Sequence, residues 1–438
     1  MRARAAGTSW PRQDPGRAAD GSRGVRVDRT HGRRRLAGLL GTWALTRLLL
    51  LLFVFKVYVF PGPDVTSDIS VIYQGWYEVL RGGTFPLDDV TWQYPPAAAL
   101  AVLSPALLPW LDYAHAFFVL ACLADLVTLV LLRSAGGRPG RTPRGAWVWV
   151  AGVPLLGPTV YARYDVMVTA VAVAALLAGA RHPRLMGALA AFGALLKVWP
   201  VLLLVAARRR APWASAAITA GLVAALFALA MPGAFAFLTF QRDRGTEVES
   251  LGALVFHVAR HFGWNGQVLL NYGSVEFLGP YVEVVSTAAL ALTGAAFAWL
   301  LLWRLLAVRF QPHTLADAAF VAVLLFTTTS RVISPQYLVW LVGLGAVCLC
   351  FRASPMRLPV GLVLAASFVT VLEFPVWFSH VVASDGTGIT LLVVRNGLLV
   401  AATVTAARAL WRTTASRPPG QSPVPAQATR ARQPTTSA

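Results

Sequence analysis

The chain has 438 residues, of which 57% are hydrophobic and 13% are charged, and its mean hydropathy is +0.61. This composition excludes an ordinary soluble protein and is typical of a polytopic helical membrane protein. The net charge of +19 does not indicate nucleic-acid binding, because the arginines lie in short loops between apolar runs and in two polar tails. The three cysteines show neither metal-ligand spacing nor a disulfide pattern.

Both ends of the chain are polar. Residues 1–35 are rich in arginine and lack the early apolar region of a cleaved signal peptide, so we predict a disordered basic cytoplasmic tail. Residues 413–438 predict a second disordered tail, which leaves 36–412 as the multi-pass membrane domain. Lysine is nearly absent, and with abundant Ala and Gly this resembles the high-GC coding of actinobacteria.

Apolar runs of near-spanning length predict an all-α fold with about ten membrane crossings. The runs lie at roughly 36–60, 113–132, 145–160, 165–180, 212–231, 281–303, 314–330, 335–351, 358–378 and 389–411. Arginines recur in alternate loops, for example at 133–144 and 352–357, and the positive-inside rule makes these loops cytoplasmic. The loops at 61–94 and 232–280 then face the opposite side.

The apolar stretch from Leu185 to Ala207 does not fit a single crossing. Arg184 precedes it and three arginines follow it, so one crossing would place those three on the wrong side. A break at Lys197-Val198-Trp199-Pro200 would let the chain enter the membrane and return, because proline removes a helix hydrogen bond. We therefore predict a re-entrant or broken helix with Lys197 at its tip.

The loop at 61–94 is acidic, and Asp68 is its most informative residue. Just past the first span, a carboxylate can stay ionised beside a cavity and accept a proton from an incoming hydroxyl, so Asp68 is a candidate catalytic base. A solvated loop acid or a helix N-cap is the alternative explanation, and Asp64 is a rival base. The adjacent Asp88 and Asp89 are more typical of a solvated turn than of a metal site.

Three further features place polar groups on the same side. Tyr94 begins a Tyr-Pro-Pro run at interfacial depth, where a new apolar stretch starts. Arg163 and Asp165 share a very short turn, which favours either a local ion pair or phosphate binding by Arg163. Lys197 has apolar flanks, so its charge needs a partner or a ligand anion unless the side chain snorkels to the interface.

The loop at 232–280 and the turn before the span at 335–351 supply the remaining candidates. The densest charge cluster outside the tails includes Arg242, Arg244 and Glu249. Exposed salt bridges are the alternative explanation for this cluster. His257 and His261 are spaced i, i+4 without an evident third ligand, which disfavours zinc. Arg331 and Gln336 are expected to face the same cavity as the candidate base.

Taken in chain order, these short motifs resemble glycosyltransferase family 87. This is a group of C-superfamily (GT-C) membrane sugar transferases that includes a polyprenol-phosphate-mannose-dependent mannosyltransferase. The resemblance rests on Asp68 with Tyr73 and Gly82-Gly83, Tyr94-Pro95-Pro96, Arg163-Tyr164-Asp165, Leu196-Lys197-Val198-Trp199-Pro200, Arg244-Gly245 with Glu249-Ser250, and Ser334-Pro335-Gln336-Tyr337-Leu338-Val339-Trp340-Leu341. Each motif is short, and their order and common membrane face make the set more specific than any one of them.

The resemblance implies an enzyme of the cell membrane and cell envelope. It implies transfer of a hexose, with mannose as the expectation, from a polyprenyl-phosphate sugar to a lipid or glycan acceptor on the extracytoplasmic side. Inversion at the anomeric carbon is implied, without an obligatory nucleotide sugar. Membrane lipids are expected around the protein, and the residues themselves predict no cofactor, metal or nucleic acid. Asp68 takes the place of the base. The predicted substrate-binding residues are Tyr94, Arg163, Asp165, Lys197, Arg242, Arg244, Glu249, Arg331 and Gln336.

Two other functions stay open at the level of the sequence. A transporter or flippase of lipid-linked sugars would also suit a re-entrant basic segment, although the two halves of the chain show no convincing repeat. A noncatalytic membrane scaffold would leave the acids and bases of the outer face unexplained. Among enzymes, Asp64, Asp68 and Asp165 remain alternatives for the base.

Overall fold

The protein is mainly helical with very little strand in the computed structural model, which describes residues 18–242 and 245–415. The first helices are α1 (Ala18–Val54), α2 (Gln74–Arg81), α3 (Ala98–Leu103), α4 (Tyr113–Gly136), α5 (Arg144–Gly152), α6 (Asp165–Ala178), α7 (Pro183–Leu196), α8 (Arg210–Ala230) and α9 (Phe237–Arg242). The later helices are α10 (Ala253–Ala259), α11 (Val282–Leu306), α12 (Thr314–Thr329), α13 (Tyr337–Leu349), α14 (Arg357–Val371), α15 (Phe378–Ala383) and α16 (Gly386–Thr414). Helix α1 begins within the predicted N-terminal tail, and the division into a membrane domain and two tails stays a prediction.

Within the described residues, six helices are long and apolar enough to cross a membrane. They are Arg34–Val54, Tyr113–Gly136, Arg210–Ala230, Val282–Leu306, Arg357–Val376 and Gly386–Thr414. Shorter apolar helices are Ala98–Leu107, Asp165–Ala178, Pro183–Leu196, Thr314–Thr329 and Tyr337–Leu349. The chain is therefore a multi-pass membrane protein, and the predicted all-α polytopic class is confirmed.

Prolines divide two of the predicted spans. The run at 145–160 becomes α5 followed by a 3-10 helix, Pro154–Val160, whose interior holds Pro158. The run at 358–378 becomes α14 followed by a wider turn that contains Pro375. In both places the missing amide hydrogen and the bulk of the ring prevent a regular helix from continuing.

The stretch predicted to be re-entrant is a broken helical hairpin. Helix α7 ends at Leu196, because the ring of Pro200 four residues later would clash with the Leu196 carbonyl if the helix continued. A short 3-10 helix then packs back against α7. The start of α8 reaches the start of α7, where the Ser215 hydroxyl donates to the Arg184 carbonyl at 2.8 Å. The arginine-bearing ends of the hairpin therefore lie together, as the re-entrant interpretation requires.

Helix α13 lies at the centre of the bundle. All of residues 338–349 are buried, and the helix packs against α5, α6, α12 and α14. Its continuous apolar sequence is compatible with this position, because a helix without a polar face needs no contact with water. With 13 residues it is about 20 Å long, shorter than the hydrocarbon thickness.

A small antiparallel sheet was not predicted from the sequence. Its strands are β1 (Thr246–Glu247), β2 (Gln267–Asn271) and β3 (Ser274–Leu278), in the order β1-β3-β2. The turn between β2 and β3 uses Tyr272 and Gly273, both with positive φ. Strands of two to five residues are too short to show a clear alternation of apolar and polar residues. The sheet packs through Phe277 on a satellite core separate from the main bundle core.

Candidate active site

A cavity of about 440 Å³ opens where the tip of α7 meets the loop after α1 and the linker between α12 and α13. Five of the residues predicted from the sequence line it: Asp68, Tyr94, Lys197, Arg331 and Gln336. They come from separate parts of the chain, and the end of α7 at Leu196 places Lys197 among them. The structure therefore brings a carboxylate and two cationic groups to the same cavity.

The Asp68 carboxylate is anchored from behind by Arg163. The Arg163 Nη2 atom lies 2.5 Å from Asp68 Oδ2, and its Nη1 donates to the carbonyls of Val65 and Ala162 at 3.2 and 2.6 Å. The exposed fraction is 32% for the Asp68 side chain and 12% for that of Arg163. The guanidinium thus orients the carboxylate and leaves it accessible to a hydroxyl in the cavity.

The rival base, Asp64, has a different surrounding. It lies outside the cavity lining and forms an exposed ion pair with Lys56 at 2.8 Å. It also accepts hydrogen bonds from the amide and hydroxyl of Thr66 at 2.9 and 2.6 Å. Partial burial acts to raise the Asp64 pKa, but the bonds with Lys56 and Thr66 outweigh it and hold the pKa below its usual value. The geometry therefore favours Asp68 over Asp64 as the proton acceptor.

The turn at 161–165 contributes a second ion pair, between Asp165 and Lys197. Lys197 Nζ lies 2.8 Å from Asp165 Oδ1, and the indole of Trp340 donates to the same oxygen at 2.7 Å. The two charged side chains are 11% and 1% exposed respectively. The sequence analysis offered a local ion pair between Arg163 and Asp165 as one explanation of this turn. The structure instead pairs Arg163 with Asp68 and Asp165 with Lys197.

Aromatic rings surround the Lys197 ammonium. Its Nζ lies 5.1–5.4 Å from the ring centres of Tyr94, Tyr164, Tyr337 and Trp340. Ring faces carry negative electrostatic potential, so this arrangement stabilises a cation that has left bulk water. The sequence analysis missed the contributions of Tyr337 and Trp340, although their spacing of three residues places them on one face of α13.

The linker between α12 and α13 forms another wall of the cavity. Arg331 donates to the Ser286 hydroxyl at 3.2 Å, and its own carbonyl accepts the amide hydrogen of Glu247 at 3.1 Å. Ser334, which also lines the cavity, donates to Glu247 Oε1 at 2.8 Å. These contacts join the linker to strand β1 and position Arg331 at the rim.

Glu249 lies apart from the cavity lining, in a buried cluster with Glu373 and Arg395. Arg395 donates to both carboxylate oxygens of Glu373 at 2.8 and 2.6 Å and to the Glu249 carbonyl at 2.9 Å. Burial first, and then the charge of Glu373, raise the Glu249 pKa well above its usual value. Of the other charged candidates in this loop, Arg244 lies outside the described residues, as does the side chain of Arg242. Substrate contact by these three residues stays a prediction.

A buried polar network supports the turn at 161–165, and the sequence analysis did not single it out. Asp125 is fully buried and accepts hydrogen bonds from Arg47, Trp149 and Tyr161 at 2.7, 2.6 and 2.5 Å. Tyr161 begins the turn that carries Arg163 and Asp165. Charged residues inside predicted spans were the available signal, since such residues are costly unless they have a role.

His257 on α10 and His261 in the 3-10 turn after it hold a neighbouring loop. His257 contacts the Ser384 hydroxyl at 2.7 Å and the Val248 carbonyl at 2.8 Å, and His261 contacts the Ser384 carbonyl at 2.7 Å. Burial lowers the pKa of His257 to about 4. In the part of the chain that the structure describes, no group of three or more His, Cys, Asp or Glu residues is placed to hold a metal ion.

A family model named glycosyltransferase family 87 matches residues 92–335, which is more than half of the chain. The chain belongs to glycosyltransferase family 87. The matched range includes the Arg163–Asp165 turn and Lys197 and begins after Asp68. The protein is accordingly a membrane glycosyltransferase, and the interpretation as a lipid-linked-sugar transporter is not supported.

Two further comparisons concern individual proteins. Among solved structures, this family-87 glycosyltransferase is similar to ArnT from Cupriavidus metallidurans, crystallised with bound undecaprenyl phosphate, at 15% sequence identity. The similarity covers 86% of this chain and 78% of the ArnT chain, with a TM-score of 0.39. No curated protein sequence matches the chain.

Proposed function

We propose that this family-87 glycosyltransferase moves a hexose, with mannose as the first candidate, from a polyprenyl-phosphate sugar to a lipid or glycan acceptor. The reaction takes place at the extracytoplasmic side and inverts the anomeric carbon. The observation that carries the proposal is the single cavity in which the Asp68 carboxylate and the Lys197 ammonium both end. The Asp68 carboxylate supplies a base, and the Lys197 ammonium supplies a cation for the donor phosphate.

The walls of the cavity support a donor that is attached to a lipid. Val198, Leu238 and Leu290 line the cavity and are also exposed on the apolar surface of the bundle. Their exposed fractions are 55%, 61% and 54% respectively. A prenyl chain lying against these side chains would stay in the hydrocarbon of the bilayer while its phosphate reached the polar end of the cavity. A soluble nucleotide sugar has no prenyl chain to pack against these apolar side chains.

The polar end of the cavity suits the phosphate and the sugar. Lys197 is nearly buried, so a phosphate that approaches it forms a charge-assisted contact with little screening by water. Its partner Asp165 and the surrounding rings hold the ammonium at the tip of α7. Trp76 and Tyr94 present aromatic surface to the same space, and aromatic faces pack well against the apolar face of a sugar ring.

The reaction is a single displacement. The acceptor hydroxyl attacks the anomeric carbon and Asp68 removes its proton, while the bond from that carbon to the phosphate oxygen breaks and the lipid phosphate leaves on the opposite face. Lys197 stabilises the charge that collects on the departing phosphate. Arg163 keeps the base oriented throughout. One displacement inverts the configuration and needs one carboxylate as base.

The test is transfer from polyprenyl-phosphate mannose in isolated membranes, with Asp68→Asn compared with Asp64→Asn. General-base catalysis contributes about 10²–10⁴-fold, so Asp68→Asn should lose most turnover while Asp64→Asn keeps it. Loss of activity in Asp64→Asn or Asp165→Asn, with Asp68→Asn unaffected, would assign the base to another carboxylate. Wild-type protein that transfers glucose and not mannose would correct the sugar alone.

A further inference from the structure

A second cavity lies at the opposite end of α7 from Lys197. Its volume is about 480 Å³, and its charged lining consists of Arg181, Arg184 and Arg209, with His182 beside them. Since α7 has 14 residues, the two cavities are about 21 Å apart along its axis. The second cavity is therefore separate from the candidate active site.

The cavity exists because α7 and α8 begin side by side. A Cβ atom added to Gly187 would lie 2.0 Å from the Pro212 carbonyl oxygen, so the first turns of the two helices are in direct backbone contact. Neither α7 nor α8 has an acidic residue in its first turn, and within the described residues no side chain caps either start. Two helix starts with their partial positive charge thus add to the field of the arginines.

The basic residues of this cavity have no carboxylate nearby in the chain. The sequence contains no Asp or Glu between residues 166 and 242, the range that holds every residue lining this cavity. Among the ion pairs of the described residues, none involves Arg181, Arg184 or Arg209. Their mutual repulsion is relieved when an anion binds between them.

The surroundings of the cavity indicate that the anion belongs to a lipid. Leu185 lines the cavity and is 48% exposed, and Trp213, one turn into α8, is 49% exposed. The Trp213 indole donates to the Ala207 carbonyl at 3.2 Å, which holds the ring at the edge of the apolar surface. An exposed tryptophan beside clustered arginines is typical of the membrane interface, where headgroup phosphates lie.

We propose that this cavity binds the phosphate of an anionic phospholipid. Arg184 and Arg209 form charge-assisted hydrogen bonds with the phosphate, and the amide hydrogens at the starts of α7 and α8 contribute to its binding. The acyl chains lie along Leu185 and Trp213. By the positive-inside rule the headgroup is on the cytoplasmic leaflet, on the far side of the protein from the sugar transfer.

Native mass spectrometry of the purified protein with added phosphatidylglycerol tests the proposal. The matched variants are Arg184→Gln with Arg209→Gln, and Arg357→Gln as a control that removes an exposed arginine from the start of α14. The wild-type and control proteins should retain phosphatidylglycerol, and the double variant should bind it at least about tenfold more weakly, because two charge-assisted contacts are lost. All the substituted side chains are exposed, so folding should be unaffected, and unfolding midpoints check this.

The outcomes separate the sources of the phosphate. Equal retention by the double variant and the wild type overturns the proposal, as does an equal loss in the control, which would show a general effect of charge. Inorganic phosphate that competes with phosphatidylglycerol at equal concentration would assign the site to free phosphate instead of a lipid. Phosphatidylcholine bound as well as phosphatidylglycerol would also overturn the preference for an anionic headgroup.

Discussion

The pairing of Lys197 with Asp165 allows the binding of the donor phosphate to be separated from the stability of the fold. Lys197→Met keeps the length of the side chain but removes its charge, and it leaves Asp165, which is 1% exposed, without its cationic partner. The indole of Trp340 remains as a hydrogen-bond donor to that carboxylate. Lys197→Met with Asp165→Asn removes both charges and keeps an amide oxygen for the same donor.

The expected magnitudes follow from burial. Leaving a buried carboxylate unpaired costs about 3–5 kcal/mol, whereas replacing the whole ion pair by neutral groups of similar size costs little, so the double variant should recover most of the stability lost by Lys197→Met. A charge-assisted contact contributes about 1.5–3 kcal/mol, so polyprenyl phosphate should bind about ten- to a hundredfold more weakly to both variants. In Lys197→Met the unpaired Asp165 also repels the phosphate.

Two measurements on purified protein decide the matter: the thermal unfolding midpoint and the equilibrium binding of polyprenyl phosphate. We expect the midpoint to fall in Lys197→Met and to recover in the double variant, while binding stays weak in both. Arg81→Met, at an exposed residue of α2 outside the cavity lining, is the control for loss of one positive charge. Wild-type affinity in a stable double variant would refute the assignment of Lys197 to the phosphate.

Three further predictions test other parts of the structure. Gly187→Ala places a Cβ atom 2.0 Å from a carbonyl oxygen of α8 and should lower the thermal unfolding midpoint. Gly221→Ala has open space around its Cβ, so it should raise the midpoint slightly, with a gain of up to about 1 kcal/mol in the free energy of unfolding. In a cysteine-free background, Glu78→Cys should react with a membrane-impermeant thiol reagent applied to intact cells, whereas Arg209→Cys should react only after the cells are permeabilised. The reverse pattern would contradict the predicted topology. Burial lowers the pKa of His257 to about 4, so between about pH 6.5 and 4 this imidazole is protonated in the unfolded chain and neutral in the folded one. The free energy of unfolding should therefore fall as the pH drops through this range. His257→Gln should flatten this dependence in thermal unfolding.

Local chemistry explains the parts of the site that the sequence predicts well. Pro200 follows Leu196 by four residues, and this spacing ends α7 and places Lys197 at its tip. The arginines on both sides of the same stretch require its two ends to return to one face. Each of these inferences depends on residues within one or two helical turns, so no knowledge of the neighbouring helices is needed.

The sequence did not predict which charged side chains pair with each other across the helix bundle. Arg163 and Asp165 are two positions apart in the chain, and the sequence favoured either a pair between them or phosphate binding by Arg163. Arg163 instead pairs with Asp68, and Asp165 pairs with Lys197. Which acid meets which base depends on how α6, α7 and the loop after α1 pack, because a salt bridge forms between charges that packing brings within about 4 Å. The same reasoning applies to Asp125, whose donors come from three other segments of the chain.

The sequence by itself determined the membrane class, the approximate positions of most apolar helices, the break in α7 and the family. Composition, periodicity, proline and motif order are properties of the linear chain. The tertiary structure alone decided that Asp68 and Lys197 share a cavity, that Glu249 is buried away from it, and that aromatic rings enclose the lysine. The physical reason is that catalytic geometry is a matter of distances between residues remote in sequence, such as the 32 positions between Asp165 and Lys197. Those distances are set by packing of the whole bundle and not by any one of its segments.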